Sequence, residues 1–346
     1  MIADRIEKSK QYFLRREKSM TKHDVLSLLR AAAAPVSGEQ MSKALGVSRA
    51  AVHKAVGQLR GEGYTIEAAT NRGYRLVAEP DRLSGARIGQ ALAEHPWRER
   101  MVVLQSVDST NNYAKNLAAA GAPEGTCVIA ERQTAGRGRR GRSFVSEEGG
   151  LYFSCILRPR AAPQQLLHLT ALTAVAVSDA IEAVTGMQPQ IKWPNDPVLS
   201  GKKVCGILTE LSVVAESNEA EYVVAGIGIN CNQLGFPPEL SGIATSLRAE
   251  TGKPVDRSAL AAALARSLER MGRALFEEKA AWIARFRERC ITVGKDVVIL
   301  RGDTSTPAYA AGVGPDAELL VVYPDGTSGA VSSGEVSVRG MYGYAE

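Results

Sequence analysis

A glycine- and arginine-rich segment at residues 136–142, Gly-Arg-Gly-Arg-Arg-Gly-Arg, gives the clearest indication of chemistry in this sequence. Arginine side chains bind phosphate oxygens with two parallel hydrogen bonds. A glycine-rich backbone loses much conformational entropy when it becomes ordered, and an anionic ligand can offset that loss. We therefore predict a loop that closes on a polyphosphate; the alternative is a solvated basic loop without a role.

The same segment contains the spacing Gly-x-Gly-x-x-Gly, which is typical of dinucleotide-binding turns. Such a turn follows an apolar strand directly, and a helix begins at its third glycine. Here residues 132–135 separate the segment from the apolar run 126–131, and the next apolar run, 150–157, alternates like a strand. These features argue against a Rossmann turn.

Three other stretches place polar groups where a ligand could meet them. Residues 192–211 contain a turn, 193–197, in which prolines flank an Asn-Asp pair and fix the backbone, followed by a lysine pair and an apolar strand. Ordinary hairpin residues are the alternative interpretation. The apolar run 222–232 ends in small residues and Asn230, and Ser109 or Thr110 is predicted to cap a helix whose N-terminus offers free amides.

The N-terminal part of the chain carries the positive charge. Residues 1–80 hold 14 Lys and Arg against 8 Asp and Glu, a balance of +6, whereas the whole chain is at +5. The pattern predicts three helices and a hairpin within residues 22–77, with Ser37 and Ser48 as helix caps. Small and basic residues share the outer side of the third helix, opposite an apolar side, which suits a DNA major groove. The predicted DNA-contacting residues are Ser48, Arg49, Ala50, His53 and Lys54, with Arg72 and Arg75 on or near the wing. A helical protein-interaction module is the alternative.

Length and composition limit the remaining possibilities. A chain of 346 residues suits two or three domains. It contains no run of about 18 uncharged apolar residues, so we expect no membrane span, and its charged start argues against a secretory signal. Five widely separated cysteines lack zinc-binding spacings and indicate reduced thiols in the cytoplasm, with packing as the expected role of Cys205 beside the site. No protein metal site is predicted.

The chain resembles the bifunctional biotin operon repressors, which are also biotin–protein ligases. The resemblance covers nearly all of residues 22–340. It rests on the N-terminal winged helix and on an ordered series of motifs: Asp-Ser-Thr-Asn (108–111), the Gln-x-Ala-Gly-Arg-Gly-Arg-Arg-Gly-Arg loop (133–142), Lys-Trp-Pro-Asn-Asp (192–196), Gly-Lys-Lys-x-x-Gly-Ile-Leu-x-Glu (201–210), Gly-Ile-Gly-Ile-Asn (226–230) and Ala-Thr-Ser-Leu (244–247).

The resemblance implies an α+β protein in four segments. Residues 1–21 are expected to be a disordered extension, and 22–80 a winged helix-turn-helix. Residues 81–288 would form a mixed α/β ligase domain of the class II synthetase type, with helices over 164–185 and 256–289. Residues 291–346, with short strands and glycine turns, would form an SH3-like β-barrel.

The resemblance also implies the reaction and its residues. Biotin and ATP would give biotinyl-5′-adenylate and pyrophosphate, and a lysine of a biotin carboxyl carrier protein would attack the adenylate. Mg²⁺ is expected on the phosphates. The biotin pocket would comprise Ser109, Thr110, Asn111, Gln133, Arg137, Lys203 and Gly206. Nucleotide contacts would come from Arg137, Arg139, Arg140, Phe144, Lys192, Asn195 and Asn230. Lys203, Arg137, Arg139 and Asp196 are the predicted catalytic residues, Asp196 acting on the acceptor lysine.

One position departs from the family pattern. The family has a tryptophan two residues after the arginine loop, followed by Ser-Pro, whereas this chain has Phe144 and then Val145, Ser146 and Glu147. Phe144 could stack on adenine with less area than tryptophan. A ligand-controlled homodimer on a palindromic operator is expected. A lipoate–protein ligase, and a transcriptional sensor that binds nucleotide without turnover, remain as alternatives.

Overall fold

The computed structural model describes residues 22–69, 73–301, 303–332 and 337–340. These residues divide into two compact units, the first extending to Asp81 and the second beginning at Arg82. The predicted N-terminal extension, residues 1–21, lies outside the described residues, as does Arg72.

The first unit contains three helices and a hairpin in the predicted order. They are α1 (residues 22–31), α2 (Gly38–Leu45), α3 (Arg49–Gly61), β1 (Thr65–Ala69) and the antiparallel β2 (Gly73–Ala78). Ser37 caps α2 through a capping box with Gln40, and Ser48 accepts a hydrogen bond from the Ala51 amide at the start of α3. Gly46 ends α2 with φ 65°, a left-handed conformation that glycine adopts without steric cost.

The apolar side of α3 forms the core of this unit. Val52, Val56 and Leu59 are buried, together with Met41 of α2 and Ile66 of β1. The described part of residues 22–78 thus folds as the winged helix-turn-helix that helical spacing and charge predicted.

A five-stranded mixed sheet forms the centre of the second unit. Its strands, in spatial order, are β3 (Met101–Leu104), β4 (Cys127–Ala130), β5 (Leu151–Leu157), β10 (Glu219–Ile229) and β9 (Cys205–Val214). The first pair is parallel and the other three pairs are antiparallel. β9 therefore lies at one edge of the sheet. The neighbouring inner strands are β5, which is buried throughout, and β10, which is buried over residues 222–227.

Helices cover both faces of this sheet. The short helix α4 (Gly85–Leu92) packs against α8, α5 (Thr110–Ala119) packs on β4, β5 and β10, and α6 (Leu169–Thr185) packs on β9. Two more long helices, α8 (Arg257–Ala274) and α9 (Lys279–Arg289), pack against α6, and a short α7 (Leu247–Thr251) precedes them. The sequence predicted one helical stretch over 256–289. The structure shows two helices there, separated at residues 275–278, and both pack against α6.

One helical segment, Pro163–Thr185, is long and apolar enough by composition to span a membrane. Of its most apolar window, 67% is buried inside the protein. The segment consists of a 3-10 turn and α6, and α6 lies between the sheet and helices α8 and α9. Its apolar surface therefore belongs to the core of the second unit.

A small three-stranded sheet positions the polar turn at residues 193–197. β6 (Gln190–Lys192) and β7 (Asp196–Leu199) form an antiparallel hairpin, and β8 (Lys202–Lys203) pairs with β7. The hairpin turn contains a cis peptide bond between Trp193 and Pro194.

The C-terminal segment forms a second five-stranded sheet, which is antiparallel throughout. It contains β11 (Asp296–Arg301), β12 (Thr304–Val313), β13 (Leu319–Val322), β14 (Ser328–Val331) and β15 (Ser337–Gly340), in the order β14-β13-β12-β11-β15. The predicted all-β module is confirmed, although the sequence interpretation missed β14, a small-residue strand with one buried side chain, Val331. This sheet supports the hairpin above, because the indole Nε1 of the buried Trp193 donates to the Ala317 carbonyl at 2.8 Å.

Candidate functional site

A cavity of about 740 Å³ in the second unit brings together residues from distant parts of the sequence. Its walls come from the start of α5, the arginine loop, the β6–β7 hairpin, and strands β9 and β10. The residues predicted for the biotin and nucleotide sites line it, except Arg140, whose side chain lies outside the described ones. Asp196, which was predicted as catalytic, lines it as well. The predicted residues at the cavity are Ser109, Thr110, Asn111, Gln133, Arg137, Arg139, Phe144, Lys192, Asn195, Asp196, Lys203, Gly206 and Asn230.

The N-terminus of α5 forms the inner end of this cavity, and its cap differs from the predicted one. Ser109 occupies the cap position but makes no capping hydrogen bond. Instead, Oε1 of Gln133 accepts hydrogen bonds from the Thr110 amide at 2.8 Å and from the Thr110 hydroxyl at 3.0 Å. The Gln133 amide in turn donates to the Ser146 hydroxyl at 2.9 Å. The predicted capping role of Ser109 or Thr110 is therefore wrong, because a side chain from the arginine loop supplies the acceptor.

Asn111 follows on the first turn of α5 and is 4% exposed. Its amide nitrogen donates to the Leu208 carbonyl at 3.2 Å and to the Glu210 carboxylate at 2.8 Å, and the Ser154 hydroxyl donates to its oxygen at 2.6 Å. Gly226 of β10 makes room for this side chain, since a Cβ there would lie 2.0 Å from the Asn111 oxygen. A glycine is thus required in β10 at the point where α5 comes closest.

The arginine loop is folded into a compact turn over the cavity. A short 3-10 helix spans Arg139–Gly141, and the backbone closes through Gly138 N–H to Arg142 O at 2.7 Å and Phe144 N–H to Gly136 O at 2.9 Å. Arg139 donates to the Asn195 carboxamide oxygen at 2.9 Å. The loop therefore contacts the β6–β7 hairpin on the opposite wall.

The hairpin and β8 contribute the two lysines. Lys192 is 6% exposed and lines the cavity, and Lys203 forms an ion pair with Asp196 at 2.6 Å. Asn195 donates to the Ile207 carbonyl at 2.6 Å, which ties the hairpin to β9. A buried lysine is unusual in an ordinary hairpin, because burial of a charge is costly unless the charge is paired.

Phe144 lies on two glycines of neighbouring strands. A Cβ at Gly228 would lie 2.5 Å from its ring, and one at Gly206 would lie 2.8 Å from it. The ring also meets the Tyr152 ring edge-on, with centroids 6.4 Å apart. A Cβ at Gly206 would also lie 3.3 Å from the Lys203 side chain.

The sequence interpretation missed one wall of the cavity. It is formed by Phe236, Glu239, Leu240, Ile243 and Ala244, from the segment between β10 and α7. This segment joins the site through the Lys203 amide, which donates to the Ile243 carbonyl at 2.8 Å. Its apolar residues stand in a segment that contains prolines and glycines and shows no regular periodicity, so the sequence carried no clear signal for this wall.

Two further residues that the sequence placed at or beside the site, Cys205 and Asn230, are buried. The Cys205 thiol is buried, and burial raises its pKa well above the ordinary value, so the residue packs in the core as expected. Asn230 is buried and its amide donates to the Thr245 carbonyl at 3.1 Å. No group of three or more His, Cys, Asp and Glu suited to a metal ion occurs within the described ranges.

The first unit presents the predicted DNA-contacting face to solvent. Ser48, Arg49, Ala50, His53 and Lys54 are all exposed along the N-terminal half of α3. Arg75 on β2 is exposed as well and forms an ion pair with Glu67 at 2.9 Å. A basic helix face beside a two-stranded wing has the shape and charge that a major groove and its phosphates accept.

Comparisons with known proteins agree with both units. Residues 103–230 match the biotin/lipoate A/B protein ligase family, and residues 21–75 match the HTH domain family. The "Bifunctional ligase/repressor BirA" of Bacillus spizizenii is 44% identical over 245 residues, which is 70% of this chain and 75% of that protein. The protein of the same name from Escherichia coli is 32% identical over 306 residues, 88% and 92% of the two chains. The solved structure of a biotin protein ligase from Aquifex aeolicus in complex with biotin and ATP superposes with a TM-score of 0.60 at 33% identity, covering 69% of this chain and 98% of that one.

Proposed function

We infer how the cavity works from the premise that this chain belongs to the family of bifunctional biotin ligases and repressors. The protein is a biotin protein ligase and a DNA-binding repressor, with the ligase chemistry in the second unit and the helix-turn-helix in the first. Biotin and ATP are its proposed substrates. The observation that carries the proposal is a single cavity that holds the α5 N-terminus, five cationic side chains and an apolar wall.

In the proposed first step, a biotin carboxylate oxygen attacks the α-phosphorus of ATP and pyrophosphate leaves. Lys203 would lie against the carboxylate and the α-phosphate, where negative charge accumulates in the transition state. Arg137 and Arg139 from the loop, with Arg140, would bind phosphate oxygens as guanidinium groups do. Lys192 would add charge from the opposite wall. The product is biotinyl-5′-adenylate, a mixed anhydride.

The two ends of the cavity suit the two substrates. Ser109, Thr110, Asn111 and Gln133 offer hydrogen-bonding groups at the buried end, which suits the ureido ring of biotin. Phe144 and the missed wall of Phe236, Leu240 and Ile243 are apolar and suit the adenine base. In the nucleotide complex, Phe144 would stack on adenine instead of lying on Gly206 and Gly228.

A magnesium ion would enter with the nucleotide phosphates. Mg²⁺ keeps several waters and is held in such sites through phosphate and one or two protein oxygens. The donor set here fits that arrangement, since Asn230 and Asp196 supply a carboxamide and a carboxylate at the cavity wall. When bound, the ion would neutralise phosphate charge as pyrophosphate leaves.

In the proposed second step, the lysine amine of a biotin carboxyl carrier protein attacks the acyl carbon and AMP leaves. Asp196 is the proposed group that orients the acceptor lysine and takes its proton. Its carboxylate forms an ion pair with Lys203 at 2.6 Å. Asp196 can serve the acceptor because Lys203 gains a new anionic partner once the adenylate has formed.

The repressor activity is proposed to depend on the adenylate and on a homodimer that binds a palindromic operator. Edge strand β9 is a candidate dimer surface, because its outer part exposes Leu211, Val213 and Val214. Among the described residues, one edge of this strand has no neighbouring strand in the sheet. Pairing of two such edges would bury apolar area and complete hydrogen bonds. The proposed location is the cytoplasm, where operator and carrier are found.

The decisive test is biotin-dependent release of pyrophosphate from labelled ATP by the full chain. The expected result is release with biotin, none with lipoate, and about a 100-fold lower rate for Lys203→Met, since loss of one preorganised donor costs about 3 kcal/mol. Release without biotin, or with lipoate in its place, would refute the substrate assignment. A binding-only sensor would show biotin and ATP binding without release.

The regulatory part is tested by gel shift. Operator affinity should rise when biotin and ATP are both present, because the two sites share a coupling free energy. The Lys203→Met variant supplied with ATP and biotin should show the low affinity of the free protein. An operator affinity that does not change with ligand would refute control by the adenylate.

A further inference from the structure

Glu210 lies just outside the cavity and contacts two of its walls. It is on β9 on the same side as Gly206 and Leu208, both of which line the cavity. Its carboxylate reaches α5 through Lys115, with 2.8 Å between Nζ and Oε1, and through the Asn111 amide at 2.8 Å. A guanidinium nitrogen of Arg137 lies 3.8 Å from the same carboxylate.

The contact with Asn111 fixes the direction of that side chain. A carboxamide nitrogen has two hydrogens, and here one is directed to Glu210 and the other to the Leu208 carbonyl. The carboxamide oxygen accepts from Ser154, so the oxygen and nitrogen cannot exchange places without losing three hydrogen bonds. Asn111 therefore presents a single orientation to the cavity, and Glu210 determines it together with Ser154.

The contact with Arg137 acts on the arginine loop. The Arg137 side chain is 53% exposed, and besides Glu210 it reaches the Asn112 carboxamide oxygen at 3.3 Å. The Glu210 side chain is 24% exposed and therefore interacts more strongly with a nearby charge than a fully solvated carboxylate does. Burial alone would raise the pKa of Glu210, but hydrogen bonds from Lys115 and Asn111 and the charges of Lys115 and Arg137 hold it below the ordinary value.

We propose that Glu210 is a positioning residue for biotin binding, which orients Asn111 and holds Arg137 at the cavity before the ligand arrives. This inference rests on the proposed biotin site. A glycine-rich loop that is already tethered by an ion pair loses less entropy when ligand binds. After binding, the anionic ligand holds Arg137, so Glu210 contributes to affinity and little to the chemical step.

The test compares Glu210→Gln with Glu210→Ala in the full chain. Glutamine keeps a hydrogen-bond acceptor for Asn111 and loses the charge, so the Kd and KM for biotin should rise about threefold, as expected for a partly exposed ion pair. Alanine also leaves the buried Asn111 amide without its acceptor, so the rise should reach about 20-fold. In both variants kcat at saturating biotin should stay within about twofold of wild type. Raised salt should weaken wild-type biotin binding more than that of Glu210→Gln.

Two control variants separate positioning from general stability. Glu221→Gln alters a carboxylate on the neighbouring strand β10 that accepts from the Ser212 hydroxyl away from the cavity, and it should leave the biotin Kd unchanged. Lys115→Met removes the other ion pair of Glu210 but leaves its contacts with Asn111 and Arg137, so the biotin Kd should rise less than in Glu210→Gln.

Three results would overturn the proposal: biotin Kd equal to wild type in both Glu210 variants, a loss in kcat with unchanged KM, or an equal effect of Lys115→Met. If alanine prevents folding, the glutamine and Lys115 variants decide between the outcomes. Calorimetric Kd for biotin needs no turnover. A wild-type protein that binds biotin without releasing pyrophosphate would therefore refute the proposed reaction, while the Kd comparison would still decide the role of Glu210.

Discussion

Replacement of Gln133 by methionine tests whether the arginine loop and the start of α5 form one unit. Methionine has a similar length and shape but neither accepts from the Thr110 amide nor donates to Ser146. The change removes the bonds of 2.8 and 3.0 Å to Thr110 and that of 2.9 Å to Ser146. The Ser146 hydroxyl also bonds the Phe144 carbonyl, so the effect extends to the residue proposed to stack on adenine.

The expected cost follows from two contributions. Loss of a helix N-cap acceptor destabilises a protein by about 1 kcal/mol. Loss of the Ser146 hydrogen bond adds about 1 kcal/mol. The sum of about 2 kcal/mol predicts a fall in Tm of roughly 4 to 8 °C for a unit of this size. Because Thr110 and Asn111 follow the cap directly, the biotin Kd should also rise by about 10-fold.

Thermal unfolding and biotin calorimetry measure the two effects. The matched control is Gln165→Met, which removes a single exposed hydrogen bond to the Ala162 amide, outside the cavity. It should shift Tm by less than about 2 °C and leave biotin binding unchanged. If Gln133→Met behaved like this control in both measurements, the cap would not depend on Gln133, and the account of the cavity's inner end would be wrong.

Three other perturbations have defined outcomes. Gly226→Ala should displace Asn111, lower the free energy of unfolding by about 2 kcal/mol and weaken biotin binding. The control is Gly272→Ala on α8, where a new Cβ would have no neighbour closer than 4.0 Å. It should be neutral or stabilising in chemical denaturation. Burial lowers the pKa of His168 below 6.5, so the unfolded chain takes up a proton first as pH falls. The free energy of unfolding of the wild type should therefore decline from pH 7 to pH 5 more steeply than that of His168→Gln. Parallel declines would contradict this. Lys54→Ala should reduce the salt dependence of operator binding by about one phosphate contact, and an unchanged slope would place Lys54 away from the DNA.

The sequence allowed a correct prediction of those features that depend on residues close together in the chain. The helix-turn-helix was predictable because caps, apolar spacing and basic face all lie within residues 37–61, and the structure has them there. The arginine loop and the Lys-Trp-Pro-Asn-Asp turn were predictable for the same reason, since composition alone indicates charge and a fixed backbone. Their meeting in one cavity followed from the family resemblance, because no local pattern relates residue 139 to residue 195.

What the sequence did not provide are contacts between residues far apart in the chain. Gln133 caps a helix that begins 23 residues earlier, and sequence rules for capping consider only the residues next to the helix. The wall around Phe236 lies in a segment without helical or strand periodicity, so no pattern marked it as part of a site. The break between α8 and α9, at residues 275–278, contains no proline or glycine that could have marked it in the sequence.

Three cations of the cavity already have polar partners, which bears on how ligand binding would be transmitted. Lys203 is paired with Asp196, Arg137 with Glu210, and Arg139 with the carboxamide of Asn195. An unpaired charge in a partly buried wall is costly, so such partners stabilise the ligand-free cavity. An arriving carboxylate and phosphate would therefore replace these partners at cations that are already in place.

In the proposed mechanism that exchange would release Asp196, Glu210 and Asn195, which lie on three different elements: β7, β9 and the hairpin turn. Because β9 is the open edge of the central sheet, a change of partner at Glu210 occurs on the strand proposed to pair in the dimer. The charge of the ligand can thus influence both the acceptor site and the edge strand without a large movement of the core. This explains in physical terms how one intermediate could serve both as the substrate of the second step and as the signal for repression.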